Sequence, residues 1–325
     1  MDDRISFAFW NLCNYYEPGS SARGPQSERE IELKRGVLAR TLGLLFDGKG
    51  PDIFACAEVN SERLVKELGE HAWSGRYSVV WEGSQQVTDA GIGLLWDATK
   101  VLGPDSVEVY PANRGARLRY VLLHMRVRAN GMPFLLIINH WKSRMKLGGV
   151  DDEADRRDTA EALGDRLGGE DKITDAILVG DFNAEPFEAP FGQTRLRSSR
   201  HFSTPLRWRR SPAHLYNPMW RWLDEPDHYE EAIADDYRQP RPTTSFGPDG
   251  NCIFDQLLVS GGLLRGDSLQ LQERSVCLYH DDLIARYTAR TGRIVPIKWE
   301  YDPEAKTSTG CSDHLPLLAS FIAKG

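Results

Sequence analysis

Between Ala176 and Pro186 the chain reads AILVGDFNAEP, which sets an acid (Asp181) and an amide (Asn183) two residues apart directly after a short apolar run. The run is too short for an ordinary helix and is punctuated like a buried strand. An acid and an amide at the carboxyl end of such a strand occupy the place where α/β enzymes tend to bind ligands. The pattern recurs. Asn11 closes FAFWN, Glu58 closes DIFACAE, and His140 closes FLLIINH and is followed by Lys142 and Arg144. Asp255 lies inside the expected strand of CIFDQLLVS, where a charge needs a partner, and Asp313 and His314 directly precede the apolar LPLLASF. Carboxylates and amides without a cysteine or multi-histidine cluster make a hard, oxygen-rich set, suited to Mg²⁺ or Mn²⁺ rather than zinc. Two histidines add acid–base and charge-stabilising groups. With lysine and arginine close by, the set fits cleavage of a phosphate ester by in-line attack of water.

The elements that must position these groups are legible from periodicity. Strands are expected at Ile5–Trp10, Ile53–Glu58, Tyr77–Trp81, Gly91–Trp96, Leu118–Val127, Phe134–Asn139, Ala176–Val179, Ile253–Ser260 and Leu315–Ile322. Helices are expected at Ser27–Phe46, Glu62–Leu68 and Asp152–Leu167, the last opening on acids that suit a helix N-terminus. Several strands are apolar at consecutive positions, as when both faces are covered. No linker or repeat divides the 325 residues, so a single domain spanning 1–325 is expected, with a loop insertion around 195–245.

Composition narrows the class. Hydrophobic and charged fractions of 41% and 27% are those of an ordinary globular protein. There is no signal-peptide pattern at the start and no apolar run of about 20 residues to span a membrane. Five cysteines without a CxxC pair argue against a disulfide framework or a structural zinc site. These features read as a soluble, cytoplasmic protein with no membrane association and no evident obligate protein partner. The net charge of -7 is unevenly spread, because seven arginines and no acid fall between Arg195 and Arg221, interleaved with Phe202, Trp208, Tyr216 and Trp220.

WNxxN near the start, the strand ending in Glu58, NHWKSR, GDFNAEP, the aspartate of DQLLVS and the closing SDH occur in order along the chain. In this the sequence resembles the endonuclease/exonuclease/phosphatase superfamily, the group of DNase I and the exonuclease III-type repair nucleases. NHWKSR is closest to the form seen in bacterial nuclease-like members. The resemblance implies a four-layer α/β sandwich, two mixed β-sheets packed face to face with helices outside. It implies that Glu58 is the principal ligand of a Mg²⁺ or Mn²⁺ cofactor, with Asn11 and Asp313 near the ion. Asp181 and Asn183 would orient or activate the attacking water and hold the phosphate. His314 would contact the phosphate or act as general base, oriented by Asp255, and His140 would be a second phosphate or leaving-group histidine. Whether Asp181 or His314 takes the water's proton stays open. Lys142, Arg144 and Arg117 are candidate phosphate contacts, and Asn14 shapes the first loop or joins the site. Cys56 and Cys311, each two residues before a site acid, read as small buried hydrophobes, with Cys56 expected on the same strand face as Glu58.

This fold serves many phosphate esters, so the substrate must be read from the surrounding surface. Arginines for phosphates and aromatic faces for bases make the stretch containing Arg207, Trp208, Arg209 and Arg210 suit a nucleic-acid strand, DNA or RNA. A small-molecule or lipid phosphoesterase is the alternative, and a non-catalytic nucleic-acid-binding relative the least supported. The plainer reading of the stretch has its tryptophans packed under the loop and its arginines paired with Asp224, Glu225, Asp227, Glu230 and Glu231. Neutralising Arg207, Arg209 and Arg210 together is expected to weaken nucleic-acid binding and flatten its dependence on salt. An unchanged slope in a salt titration would move the binding surface elsewhere.

Overall fold

The computed structural model describes residues 4–73, 75–83, 90–111, 117–144, 152–169, 175–207, 213–223, 241–247, 250–266, 269–288 and 292–324. Two seven-stranded mixed sheets dominate. The first is built around β1 (Arg4–Tyr15) and β2 (Ile53–Val59), parallel neighbours joined through α1 (Glu28–Leu44). Ser27 caps α1 by accepting the Glu30 N–H at 3.3 Å, and the Glu30 carboxylate returns to the Gln26 N–H, a reciprocal cap that starts the helix sharply. The helix α2 (Glu62–Trp73) leads to β3 (Tyr77–Glu82) and β4 (Gly91–Asp97), which complete one side of this sheet. The C-terminal strand Leu317–Ala323 lies antiparallel to β1 on the other side.

The second sheet repeats the device. Strands β5 (Val101–Tyr110) and β6 (Tyr120–Val127) precede β7 (Pro133–His140), and β7 runs parallel to β8 (Ala176–Asp181) through α3 (Glu153–Gly168). The strand Asp255–Ser260 then pairs antiparallel with β8. In both halves a parallel pair with its helical crossover aims two carboxyl ends at one edge of the sandwich, as a βαβ unit must.

Alternation along the strands makes three apolar layers. Phe7 and Phe9 of β1, Ala55 and Ala57 of β2, Leu136 and Ile138 of β7, Ile177 and Val179 of β8, and Leu257 and Val259 meet between the sheets. The alternate residues of the first sheet pack under α1 and α2, and those of the second under α3. The result is the α/β sandwich that the motifs implied.

Departures from the expected elements have local causes. The strand β5 was missed because VLGPDSVEVY is broken by Gly103 and Pro104 and slips register between Leu102 and Ser106, the marks of an edge strand. The strand carrying Asp255 begins at that residue, so the carboxylate stands at a strand end, although it is fully buried. Part of the expected insertion is regular: Arg197–Ser199 and His214–Tyr216 extend the second sheet, and Tyr216 and Met219 reach the inter-sheet core. Trp208, Arg209, Arg210 and the acids 224–231 lie outside the described residues.

Because Phe9 is fully enclosed between the sheets, Phe9→Ala is expected to destabilise the protein by about 3–5 kcal/mol in denaturant titrations. Phe202, 57% exposed, serves as the control, its alanine variant staying within about 0.5 kcal/mol.

Candidate active site

The inward stripes of the two sheets end in polar residues at one common edge. In the first sheet Phe7 and Phe9 are followed by Asn11 on the same face. In the second, His140, Asp181 and Asp255 form one rank across three adjacent strands, since His140 pairs in register with Asp181 and Asp181 with Asp255. Apolar residues thus wall the site from below, and its charges must find partners among themselves. Gly180 allows the rank to close. It adopts φ +143°, and a Cβ there would lie 2.1 Å from the Asn139 carbonyl oxygen.

His314 comes from the segment before the C-terminal strand and completes this rank. Its Nδ1 lies 2.7 Å from Asp255 Oδ2, and its Nε2 stands 3.9 Å from both Asp181 Oδ2 and Asp313 Oδ1. Burial opposes a charge on the ring, but the Asp255 carboxylate, seconded by Asp181 and Asp313, raises His314 well above the usual histidine range. Burial also pushes Asp255 up to about 6, against the pull of His314 and Thr244. We assign the shared proton to His314, because three carboxylates face one ring.

Asp181 is held by two donors, the Asn183 N–H at 2.9 Å on Oδ1 and the Asn11 amide at 3.0 Å on Oδ2. Asn183 adopts φ +47° and gives its own amide to the Trp141 carbonyl at 3.1 Å. The Asn11 amide also reaches Glu58 Oε1 at 3.2 Å, so one side chain ties a carboxylate of the first sheet to one of the second. Its carbonyl oxygen accepts the Cys13 N–H at 2.9 Å, so the oxygen expected near a metal ion is engaged within its own loop.

Glu58 reaches the site through a β-bulge. The register of β2 against β4 slips between Ala57 and Val59, and Glu58 adopts φ +58°. Plain alternation would send it to the helix side with Cys56; the bulge turns it back. Cys56 therefore packs in the layer beneath the helices, away from the site edge. Its burial pushes the thiol up to about 12, as expected of an inert buried cysteine. Burial would raise Glu58 as well, but hydrogen bonding and charge from His140, then His314 and the Asn11 amide, hold it at about 2. His140 Nε2 lies 3.5 Å from Glu58 Oε1.

An ionised Glu58, joined to Asp181 through the Asn11 amide, together with Asp313 on the His314 side, offers carboxylate oxygens that suit a hard divalent cation. Among the described residues, Asp181, Asp255 and His314 also bring ligand atoms within 4.8 Å of one another. That set is occupied by the short Asp255–His314 bond, so the Glu58 side is the better place for an ion.

The basic candidates are placed differently. Lys142 pairs with Asp152 at 3.2 Å, and Arg144 pairs with Glu188 and packs over Phe254. Arg119 forms a two-pronged pair with Asp155, while Arg117 is exposed on the segment leading into β6. Of the arginine-rich stretch, Arg195 pairs with Glu161 and Asp165 and Arg221 with Glu273, whereas Arg207 is exposed.

Three supporting residues escaped the sequence reading. The Thr244 hydroxyl accepts the N–H groups of Phe254 and Asp255 at 2.8 and 3.1 Å, and its carbonyl takes the Leu315 N–H. Ser312 ties the His314 loop to β1 by donating to the Asn11 carbonyl at 2.6 Å. Glu185, 8% exposed, accepts the Ile253 N–H at 3.1 Å and joins the Asp181–Asn183 loop to the approach of Asp255. Only Glu185 had a sequence signal, an acid beside the turn proline of NAEP. The other contacts bring together residues far apart in the chain.

A sequence profile described as Endonuclease/Exonuclease/phosphatase family matches residues 14–225. The chain belongs to this family. The matched span holds Glu58, His140, Asp181 and Asn183, while Asn11, Asp255, Asp313 and His314 lie outside it. No protein of curated function matches the sequence. Among solved structures, the chain is similar to an endonuclease/exonuclease/phosphatase family protein from Bacteroides thetaiotaomicron, with TM-score 0.60 and 15% identity over all of both chains. A mannosyl-6-phosphatase from the same organism gives TM-score 0.59 at 16% identity, covering 98% of this chain and 99% of that one. D. rerio TDP2 complexed with a single-strand DNA product gives 0.55 at 15%, covering 98% and 99%. At these identities the likeness concerns the fold.

Glu185 generates a pH prediction. Burial, aided by Glu188 and opposed by the Ile253 N–H, Arg144 and Arg293, pushes it up to about 7 from the ordinary 4.5. A folded-state value above the unfolded one means that the protonated group stabilises the fold below pH 4.5. That contribution is lost as pH rises through about 7. Between pH 4.5 and 7.5, Glu185→Gln should keep up to about 3 kcal/mol that the native protein loses. Denaturant titrations at a series of pH values check this; parallel curves for the two proteins would refute it.

Proposed function

We propose that the protein is a divalent-cation-dependent phosphodiesterase that cleaves nucleic-acid backbones with water. The arrangement of His314 carries the reading. One nitrogen is locked to Asp255 at 2.7 Å, and the other looks into a gap bordered by Asp181 and Asp313 at 3.9 Å. Members of the family hydrolyse phosphate esters. In the proposed reaction His314, as imidazolium, binds a non-bridging phosphate oxygen, and Asp255 fixes its orientation and stabilises its charge. Asp181, anchored by Asn11 and Asn183, accepts the proton of the attacking water. His140, across the gap against Glu58, stabilises or protonates the departing oxygen. A cation held by Glu58 and Asp313 would supply Lewis-acid stabilisation of charge on the phosphoryl oxygens.

For a nucleic-acid substrate the support is Phe187, 61% exposed and six residues beyond Asp181 on the same loop, an aromatic face for a base next to the phosphate site. Phe202 and Arg207, in the arginine-rich stretch, are exposed as well. A second reading, a phosphatase of small esters, is favoured by the closure of Lys142, Arg144 and Arg119 onto acids, which leaves fewer cations for a polyanion.

The two readings separate on turnover of circular single-stranded DNA, supercoiled DNA, RNA and sugar phosphates, each with Mg²⁺, Mn²⁺ or EDTA. Cutting of a closed circle that needs the metal, and that falls about 100-fold or more in Asp181→Ala and His314→Ala at unchanged circular dichroism, is expected. Release of phosphate from sugar phosphates with intact nucleic acids would establish the second reading.

A further inference from the structure

Lys34 lies on the buried face of α1, three residues after Ile31 and four before Leu38, and is entirely excluded from solvent. A lysine among apolar neighbours is unusual, because its charge loses hydration without a carboxylate bonded to it. Its ammonium donates to the Cys13 carbonyl and sits 5.0 Å over the Trp299 ring. A leucine or methionine would anchor the helix to the sheet at less expense in free energy.

What the ammonium grips is the irregular end of β1. Cys13 and Asn14 both adopt left-handed backbone, φ +49° and +58°, within the register shift between Asn11 and Tyr15. Non-glycine residues persist in that region only when their surroundings hold them there. These two residues bind Glu58 and the Asn11 side chain that ties it to Asp181. The Cys13 N–H binds Asn11 Oδ1 at 2.9 Å, and the Asn14 N–H binds Glu58 Oε2 at 2.8 Å.

We infer that Lys34 is a positioning residue for the cation site: its bond to the Cys13 carbonyl holds the β1 bulge in the shape that orients Glu58, directly through Asn14 and by way of Asn11 through Cys13. The inference rests on the reading of those residues as the cation side. Burial pulls Lys34 below the ordinary lysine range, against the smaller opposing influence of Cys13, Cys311, Glu58 and Asp313.

The test compares the native protein with Lys34→Met, which keeps the side-chain length and removes the donor, and with Lys34→Gln, which shortens the chain but keeps a donor. Amide exchange in the metal-free protein at Cys13 and Asn14 should speed up about tenfold or more in Lys34→Met, with Phe7 to Phe9 of the same strand unchanged. Direct Mn²⁺ titration should show affinity weakened about tenfold or more while the melting temperature holds or rises. Native-like exchange at Cys13 and Asn14, or native-like or tighter Mn²⁺ binding, would overturn the inference. Should the methionine variant not fold, Lys34→Gln takes its place: its donor falls one bond short of the Cys13 carbonyl, so faster exchange and weaker Mn²⁺ binding are again expected, and native-like values of either overturn the inference. If the native protein itself binds no Mn²⁺ and cleaves no phosphodiester, the reading of the site fails, and amide exchange still decides whether Lys34 holds the bulge.

Discussion

The Asp255 carboxylate has no access to water, and the 2.7 Å bond from His314 is what makes its burial tenable. An isolated ionised carboxylate in such surroundings would take up a proton instead. The pairing joins residues 59 positions apart, so the strand beside β8 in the second sheet and the segment that leads back into the first must meet before either group is satisfied. Thr244 and Ser312 fasten the two sides of that junction through backbone groups. The site is therefore part of the closure of the sandwich, and its geometry is as rigid as the contact between the sheets.

Irregular backbone does on the first sheet what regular strands do on the second. His140, Asp181 and Asp255 follow from alternation and register alone. Glu58, by contrast, needs a bulge, and Asn11 is oriented by the left-handed pair that follows it. Left-handed conformations at Cys13, Asn14, Glu58 and Asn183 all fall beside the gap, where strained backbone is characteristic of functional sites. The neighbouring elements that hold them include helix α1, which sends Lys34 into the apolar layer under the sheet.

Cations near the site are largely balanced by local acids. Arg119, Lys142 and Arg144 each close onto a carboxylate from α3, its N-cap or the loop after β8. These pairs fix the two long segments flanking His140 and Asp181. Among the described residues, the cations flanking the site of this chain of net charge -7 are thus tied to local acids rather than spread as a broad basic face.

Much of this was legible in the residues themselves. The order of strands and crossovers, the polar residue at each strand end and the oxygen-rich chemistry follow from local patterns: apolar runs, turn formers and motif spacing. So does the pairing need of Asp255, since a charge in an apolar run must find a partner wherever the chain folds. The family resemblance named His314 as that partner, whereas the cross-sheet role of Asn11 belongs to tertiary structure, as do the engagement of Lys142, Arg144 and Arg119 and the burial of Lys34. Hydrogen bonds and ion pairs between residues tens to hundreds of positions apart leave no periodic trace. The face of Glu58 was misread from Cys56 because a bulge reverses alternation, and whether a strand bulges depends on the neighbours it must meet. Sequence alone determined which chemical groups reach the edge of the sandwich; only the packing of one sheet on the other decided how they are aimed, because directional bonds form only after distant strands are brought into register.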